Sequence, residues 1–366
     1  MMRPETEAEL AGIVAGADRP LRIEGGGTRG MTVPGDGDRL SVAGLSGVVL
    51  YEPGALTLVV RAGTPLAEVG AVLAAEGQRL AFEPMDHRRL LGRDGVPTIG
   101  GVAAANVSGP RRVQAGACRD AMLGVRFVDG RGRVIRNGGR VMKNVTGYDL
   151  VKLLAGSRGT LGVLTELAVK VLPVPEAAAV LVLDGLTPEA AVAAMSAALG
   201  SPFEVSAAAH LPEAGETWLR LEGFAASVAY RAGRLGALLD RFGPARVVEA
   251  PDEVAAMMRW LRDVEDFADR PGDVWRISVR PSDGPRAAAA VSAEAAIFDW
   301  GGGLVWVLVP EGHDIRPALS GIAGHAVRVR GAGPLASTEP APLAALAARL
   351  RAEFDPKGLF NPGAMG

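Results

Sequence analysis

Hydrophobic alternation is clearest between Thr160 and Leu172, where Leu161, Val163, Thr165, Leu167, Val169 and Val171 share one face of a strand. Pro173 and Pro175 stop that strand and predict a domain boundary there. Upstream, residues 5–16 read as a short helix that leads into a strand through Leu21-Arg22-Ile23. The apolar runs Gly47–Tyr51 and Leu56–Val60 flank the turn dipeptide Pro53-Gly54 and predict a strand pair. Thr64 and Pro65 suit an N-cap and a first helical position, opening a helix that ends at Gly77.

Beyond Pro175 the pattern changes. A strand at 178–183 precedes a helix capped by Thr187-Pro188, and two strands follow at 203–209 and 217–222. A long helix (225–241) and a strand (246–249) complete the order β-α-β-β-α-β, the split, ferredoxin-like unit. Strands at 274–280, 303–309 and 326–330 extend it. A last helix carries Leu343, Leu346, Leu350 and Phe354 at helical spacing, and Phe354-Asp355-Pro356-Lys357-Gly358-Leu359-Phe360-Asn361-Pro362-Gly363 follows. The predicted domains are residues 1–175, residues 176–330, and a segment 331–366 that returns to the first.

Composition narrows the chemistry. The 366 residues carry 39 Lys and Arg against 41 Asp and Glu, a balance that offers no overall field to a polyanion and argues against nucleic acid. The single cysteine, Cys118, excludes an intramolecular disulfide, a CxxC pair and a self-contained iron–sulfur cluster. Four scattered histidines leave little for a metal site, so redox chemistry calls for an organic cofactor. No apolar run approaches the roughly 18–20 residues of a membrane span, and the N-terminus has no apolar signal region. These features predict a cytoplasmic protein.

Glycine supplies 49 residues, much of it clustered before Gly162. Gly25-Gly26-Gly27-Thr28 follows a strand, so successive backbone N–H groups can converge on an anion; the same triplet also suits a plain turn. There is no GxxxxGK[ST] loop, and no GxGxxG opens a helix, which argues against a Rossmann fold. The run Pro97-Thr98-Ile99-Gly100-Gly101-Val102-Ala103-Ala104-Ala105-Asn106-Val107-Ser108-Gly109 gives either a surface for a large planar ligand or a tightly packed small-residue helix. A third cluster, Gly156-Ser157-Arg158-Gly159-Thr160-Leu161-Gly162-Val163-Leu164, feeds the strongest strand.

Three such clusters, with a closing Asn-Pro-Gly after the last helix, resemble the PCMH-type FAD-binding fold of the vanillyl-alcohol-oxidase superfamily. Ser108-Gly109-Pro110-Arg111-Arg112, Gly116-Ala117-Cys118-Arg119-Asp120 and Val141-Met142-Lys143-Asn144-Val145-Thr146-Gly147-Tyr148-Asp149-Leu150 narrow the resemblance to FAD-binding subunits of glycolate oxidases, the GlcE type. Trp218-Leu219-Arg220-Leu221-Glu222-Gly223, Val274-Trp275-Arg276-Ile277-Ser278, Asp299-Trp300-Gly301-Gly302 and Gly324-His325-Ala326 are similar to segments of the same subunits. The implied fold class is α+β, a two-subdomain FAD-binding domain with a ferredoxin-like α/β cap.

The resemblance also implies a set of site residues. Gly25, Gly26, Gly27 and Thr28 would hold the pyrophosphate, and Thr98, Ile99, Gly100, Gly101 and Asn106 would line the diphosphate and flavin. Gly116 and Asp120 would shape the wall nearby, Gly162, Val163 and Leu164 would meet the adenosine or flavin edge, and Asn361 would return near the isoalloxazine. Enzymes with covalent flavin carry His where this chain has Thr28, which implies non-covalent FAD; Glu24 stands where an Arg often precedes the triplet. For catalysis, His325 beside Arg328 and Arg330 could act as base and carboxylate clamp, or serve the fold alone. Arg111 and Arg112 read as a docking or substrate feature, or as surface arginines.

The function implied is that of an FAD-binding subunit in glycolate-to-glyoxylate oxidation, acting on a small 2-hydroxy acid. A paralogous catalytic flavoprotein and an iron–sulfur subunit would be its partners, with contact to the inner face of the membrane through them. Two other readings stay open. One is a non-catalytic electron-transfer or assembly subunit; the other is a stand-alone oxidoreductase of another 2-hydroxy acid.

Overall fold

The computed structural model describes residues 1–29, 37–140, 147–335 and 339–365. Val141–Thr146 of the motif quoted above therefore lie outside the described residues. The chain divides into two compact units: Met1–Ser108 with Gly116–Val174 and Thr338–Gly366, and Gly109–Ala115 with Pro175–Ser337. The short segment Gly109–Ala115 thus leaves the first unit and joins the second.

In the first unit the strand Val163–Pro173 lies at the middle of an antiparallel sheet, with Thr57–Arg61 on one side and Met122–Val128 on the other. Val48–Glu52 and Val134–Gly138 flank these, and Gln78–Leu80 pairs with the end of the central strand. Buried residues occur on both faces of Val163–Pro173, including Leu164 and Ala168. The single apolar face read from the alternation is therefore half of the truth: a central strand covered on both sides needs apolar residues at both parities.

The helix Glu7–Gly16 starts where Thr6 accepts a hydrogen bond from the Glu9 N–H. Thr64 behaves otherwise than its residue type predicts. The helix Leu66–Ala74 begins one residue later, at a Pro65 cap, and the buried Thr64 hydroxyl donates to the Arg61 carbonyl at 2.7 Å while accepting from the Gly47 N–H at 2.9 Å. A small parallel pair, Leu21–Glu24 with Asp38–Ser41, sits on a separate cluster that includes Leu10, Val14, Leu40, Leu359 and Phe360. The chain end closes this region, because the Leu21 N–H donates to the Leu359 carbonyl and the Asn361 N–H donates to the Leu21 carbonyl.

The last helix, Ala341–Phe354, buries none of its residues, and Leu343 and Leu346 are exposed. Its apolar stripe is therefore not a core stripe within this unit. Only Phe354 finds an aromatic neighbour, Phe127, with ring centroids 6.1 Å apart.

The second unit is one antiparallel sheet of eight strands. Ala177–Asp184, Ala207–Leu211, Glu216–Gly223 and Ala245–Val248 lie in the spatial order fourth, first, third, second, with helices Pro188–Leu199 and Ala225–Leu239 in the β-α-β-β-α-β connection. Asp273–Val279, Ala295–Asp299, Leu304–Val309 and Gly324–Arg330 repeat that spatial order as a second half. The two halves meet strand to strand where His210 pairs with Phe298, their rings 5.9 Å apart.

Three elements here were not read from the sequence, among them the short helix Gly284–Ala290. The strand Ala295–Asp299 is short and Ala-led, with little alternation to show. The helix Pro251–Asp263 was legible, with Pro251 in its first turn, Asp252 and Glu253 beside it, and Val254, Met258 and Leu261 buried at helical spacing. Among the described residues no helix is long and apolar enough to cross a membrane.

Candidate cofactor site

The strand Leu21–Glu24 delivers the chain into Gly25-Gly26-Gly27-Thr28-Arg29, and these glycines have two different reasons to be glycine. A Cβ on Gly25 would stand 2.3 Å from the Thr98 hydroxyl oxygen, and one on Gly26 would stand 1.7 Å from the Val96 carbonyl oxygen. These two let the segment before Thr98 lie against the loop, where the Val96 N–H donates to the Gly26 carbonyl at 3.1 Å. Gly27 differs. It has a φ of +76°, is exposed, and a Cβ there would meet nothing within 4 Å.

The backbone N–H groups of Gly25, Gly26, Gly27, Thr28 and Arg29 find no acceptor among the described residues. Thr28 is nevertheless buried. Gly25, Gly26 and Arg29 are half-buried and Gly27 is exposed, so these successive donors are open to an anionic ligand. Glu24, which could oppose such a ligand, is drawn aside into an ion pair with Arg39 at 2.7 Å.

Thr98 caps the helix Ile99–Ala104, its hydroxyl accepting from the Gly101 N–H. Ile99 is fully buried. The Gly100 N–H donates to the Ala62 carbonyl at 2.8 Å, and a Cβ on Gly100 would collide with Ala62 at 2.6 Å. Gly101 faces the opposite way. A Cβ there would lie 3.2 Å from the Thr98 hydroxyl oxygen and 3.6 Å from Nη1 of Arg29.

Asn106, at a φ of +48°, accepts on Oδ1 from the Arg119 N–H at 3.0 Å, and the Ser108 hydroxyl oxygen accepts from the Cys118 N–H at 3.0 Å. Their polar oxygens thus hold the turn Cys118–Ala121. Asp120 accepts on Oδ2 from the Ala117 N–H at 2.8 Å, and the same oxygen stands 3.0 Å from where a Cβ on Gly116 would be.

Other expected residues are placed differently. The side chains of Val163 and Leu164 are buried in two hydrophobic cores, and Gly162 is glycine because Phe127 would meet a Cβ there at 2.6 Å. Asn361 is 1% exposed and its amide is fully used: Oδ1 accepts from the Ile23 N–H at 2.8 Å, and Nδ2 donates to the Arg158 carbonyl at 2.8 Å. It clasps the strand before the glycine run to the loop 156–162, which leaves no free amide group for a ring.

The sequence reading missed the charges. Arg29 Nη1 donates to the Gly101 carbonyl, and its Nε approaches Nδ1 of His87 at 3.5 Å. Burial, then the charge of Arg158, lowers the Arg29 guanidinium to about 10. His87 is lowered to about 3 by burial first and by Arg29 next, so its imidazole is neutral at physiological pH. Burial pushes the Cys118 thiol up to about 12, which keeps it protonated and inert. Arg158 stands inside the third glycine cluster and Arg29 directly follows the first, but only the fold brings them together.

In the second unit, His325 and Arg328 do not form a site. His325 pairs across the sheet with Ser278, while Arg328 pairs with Trp275, and the odd spacing puts them on opposite faces of Gly324–Arg330. Arg328 is buried, with its guanidinium 4.5 Å from the Trp275 ring centre and 3.7 Å from Asp273. Arg330 donates to the carbonyls of Gly272, Phe267 and Arg270. His325 is exposed, and its pKa is lowered by partial desolvation and then by Arg276 and Arg112.

Arg111 is a buried residue rather than a docking one, paired with Glu222, which Arg220 also approaches at 3.4 Å. Arg112 and Arg276 each stack on the Trp300 ring, 4.5 and 4.9 Å from its centre. Among the described residues no group of three His, Cys, Asp or Glu is placed to hold a metal ion.

Residues 1–138 match the family described as FAD binding domain. The fold matches that of alkyldihydroxyacetonephosphate synthase with a TM-score of 0.73 at 17% identity, over 98% of this chain and 76% of that one. Fold and cradle define the class: an FAD-binding protein of the PCMH type, mixed in helix and sheet, as the glycine clusters predict. A stretch of 81 residues is 46% identical to glycolate oxidase subunit GlcD of Bacillus subtilis, covering 22% of this chain and 17% of that one. The chain is 36% identical over 350 residues to glycolate oxidase subunit GlcE of Escherichia coli (strain K12), 94% of this chain and 92% of that one, and it belongs to the GlcE family of glycolate oxidase subunits.

Proposed function

We propose that this chain is the FAD-binding subunit of a complex that oxidises glycolate to glyoxylate. The observation that carries the reading is the run of N–H groups from Gly25 to Arg29 with no acceptor among the described residues, in a chain of the GlcE family. FAD, when bound, supplies a two-electron acceptor for the carbon that bears the substrate hydroxyl.

The chain's own part is to bind and orient. The donors of Gly25 to Arg29 would hold phosphate oxygens. The open face of Gly101, beside Thr98 and Asn106, would let the cofactor approach the backbone, with Gly116 and Asp120 shaping the wall. Ile99, Gly100, Gly162, Val163 and Leu164 act at one remove, as packing that fixes these loops, and Asn361 locks two of them together. Thr28 has no imidazole with which to form a covalent link, so the cofactor is held non-covalently.

The domain division at 1–175, 176–330 and 331–366, the cytoplasmic location and membrane contact through partners alone belong to the same proposal. The partners are a paralogous flavoprotein and an iron–sulfur subunit. Electrons taken from a hydroxy acid need an exit, and no metal or cluster ligand set is assembled among the described residues.

A second reading, that the chain relays electrons without itself oxidising the hydroxy acid, is favoured by one observation. The base and carboxylate clamp expected at His325 and Arg328 point to opposite faces of their strand. Dye reduction by the purified single chain with glycolate tests the two. The relay reading expects slow or no turnover until both partners are added. Rapid turnover by the iron-free single chain, saturable in glycolate, would make it a self-sufficient enzyme, and saturation by another 2-hydroxy acid alone would replace the substrate.

A further inference from the structure

The N–H cradle explains how an anion is recognised but not how its charge is met. Two guanidiniums stand close enough for the charge of Arg158 to act on Arg29. Arg29 ends the run of unpaired donors, and its side chain is fixed from two sides by the Gly101 carbonyl and by His87. Arg158 lies on the loop 156–162 at a φ of +53°, and its N–H donates to the Ala104 carbonyl at 2.7 Å. That loop therefore packs on the end of the helix whose start carries Thr98 and Gly101.

Asn361 holds both loops with one side chain, bonding the Ile23 backbone before the glycine run and the Arg158 carbonyl itself. The two arginines are thus set in register by the chain's own packing.

We propose that Arg29 and Arg158 form a paired guanidinium seat for the diphosphate of the cofactor, one positive charge for each phosphate. This rests on the FAD reading above. Neither guanidinium has a carboxylate in ion-pair contact among the described residues, and the Arg158 side chain has no hydrogen-bond acceptor there. Glu24 is paired with Arg39, and Asp86, the nearest acid to act on Arg29, is held by Arg88 at 2.7 Å.

Other charged and titratable groups that face the pair do not neutralise it. His87 is neutral and the Cys118 thiol is protonated. Burial, and then the like charge of Arg158, lower the Arg29 pKa against the opposing pull of Asp86, and burial lowers that of Arg158. A diphosphate carries two negative charges and offers oxygens to both forks, the geometry in which arginine binds phosphate most strongly.

The seat has a signature that a merely structural arginine lacks. Removing one charge relieves the ligand-free protein and penalises the loaded one. The experiment uses the full chain stripped of flavin, with FAD and riboflavin as probes in equilibrium fluorescence titration, and thermal midpoints with and without FAD. Arg158→Gln and Arg29→Gln should each weaken FAD by roughly ten- to a hundred-fold, the range of a hydrogen bond to a charged group. Riboflavin, which has no phosphate, should bind as it does to the wild type. The midpoint of the ligand-free Arg158→Gln protein should rise while its FAD-saturated midpoint falls.

The conservative Arg158→Lys and Arg29→Lys proteins keep the charge and should recover part of the FAD affinity, and they serve where a Gln variant does not fold. Unchanged FAD affinity in the variants of a wild type that binds FAD would overturn the seat alone. Equal weakening of FAD and riboflavin would also overturn it, by making the arginines structural. A wild-type chain that binds no FAD would overturn the cofactor reading and the seat together.

Discussion

Oδ1 of Asn361 accepts a hydrogen bond from the Ile23 N–H at 2.8 Å, joining the chain's last turn to the strand that precedes the glycine run. The same side chain donates from Nδ2 to the carbonyl of Arg158. Asn361 itself is buried and both bonds are at least part-buried, so each group left without its partner carries a desolvation cost.

Asn361→Leu should therefore destabilise the first unit by about 1–3 kcal/mol, two part-buried bonds being lost at once. It should also loosen FAD, because the glycine run and the Arg158 loop lose their common anchor. Thermal melting and FAD titration on the same protein check this. Melting unchanged, with FAD affinity lost, would instead mean that Asn361 contacts the cofactor directly.

The glycine pair at 100 and 101 separates packing from binding. Gly101→Val puts a β-branched side chain against Thr98 and Arg29 and should abolish FAD retention. All five tryptophans lie between residues 218 and 306, so their fluorescence reports the second unit and should be unchanged. Gly100→Ala, whose Cβ would meet Ala62 at 2.6 Å, should instead lower stability by about 1–3 kcal/mol through overpacking. Undiminished flavin in Gly101→Val would show that both glycines serve the helix alone.

The buried pair Arg111–Glu222 has side-chain exposures of 3% and 7%. Arg111→Met leaves Glu222 with Arg220 alone, at 3.4 Å, so the cost should be about 1–3 kcal/mol, short of the roughly 3–5 kcal/mol of a buried charge left with no partner. Denaturant unfolding followed by tryptophan fluorescence should show that loss in the second unit. A change within about 0.5 kcal/mol would mean that the pair is not desolvated.

His210 gives a pH dependence. It is fully buried at the meeting of the two sheet halves, with Nδ1 3.0 Å from the Thr217 hydroxyl oxygen and Nε2 without a partner. Burial lowers its pKa from 6.5 to about 4. Between those values the unfolded chain binds a proton that the folded one refuses, so stability falls as pH drops from 6.5 toward 4. His210→Gln should flatten that window in tryptophan-monitored unfolding, and an unchanged slope would assign the dependence to other groups.

The cradle was legible because its residue types are local. Glycines after a strand, and Thr98 before a small-residue helix, announce backbone geometry within a few positions. What the spacing could not show was what each glycine meets: Gly25 packs against the Thr98 side chain, Gly26 against the Val96 backbone, Gly100 against Ala62 and Gly101 beside Thr98 and Arg29, while Gly27 meets nothing. The charges were hidden for another reason. Arg29 and Arg158 come near each other through the Asn361 clasp, a long-range relation that periodicity does not carry. The pairing of His325 with Arg328 failed on parity alone, since residues three apart on a regular strand face opposite sides. In the second unit the first four strands were readable in order, but the strand at Ala295–Asp299, and with it the repeated half, was too short and too Ala-rich to register.

The most direct test of the cofactor assignment is the flavin itself. Chain saturated with FAD, freed of excess ligand and then denatured, should release one FAD per chain through a filter that retains protein, with no colour left behind. Colour kept on the denatured chain would contradict non-covalent binding, and failure to take up FAD would contradict the site.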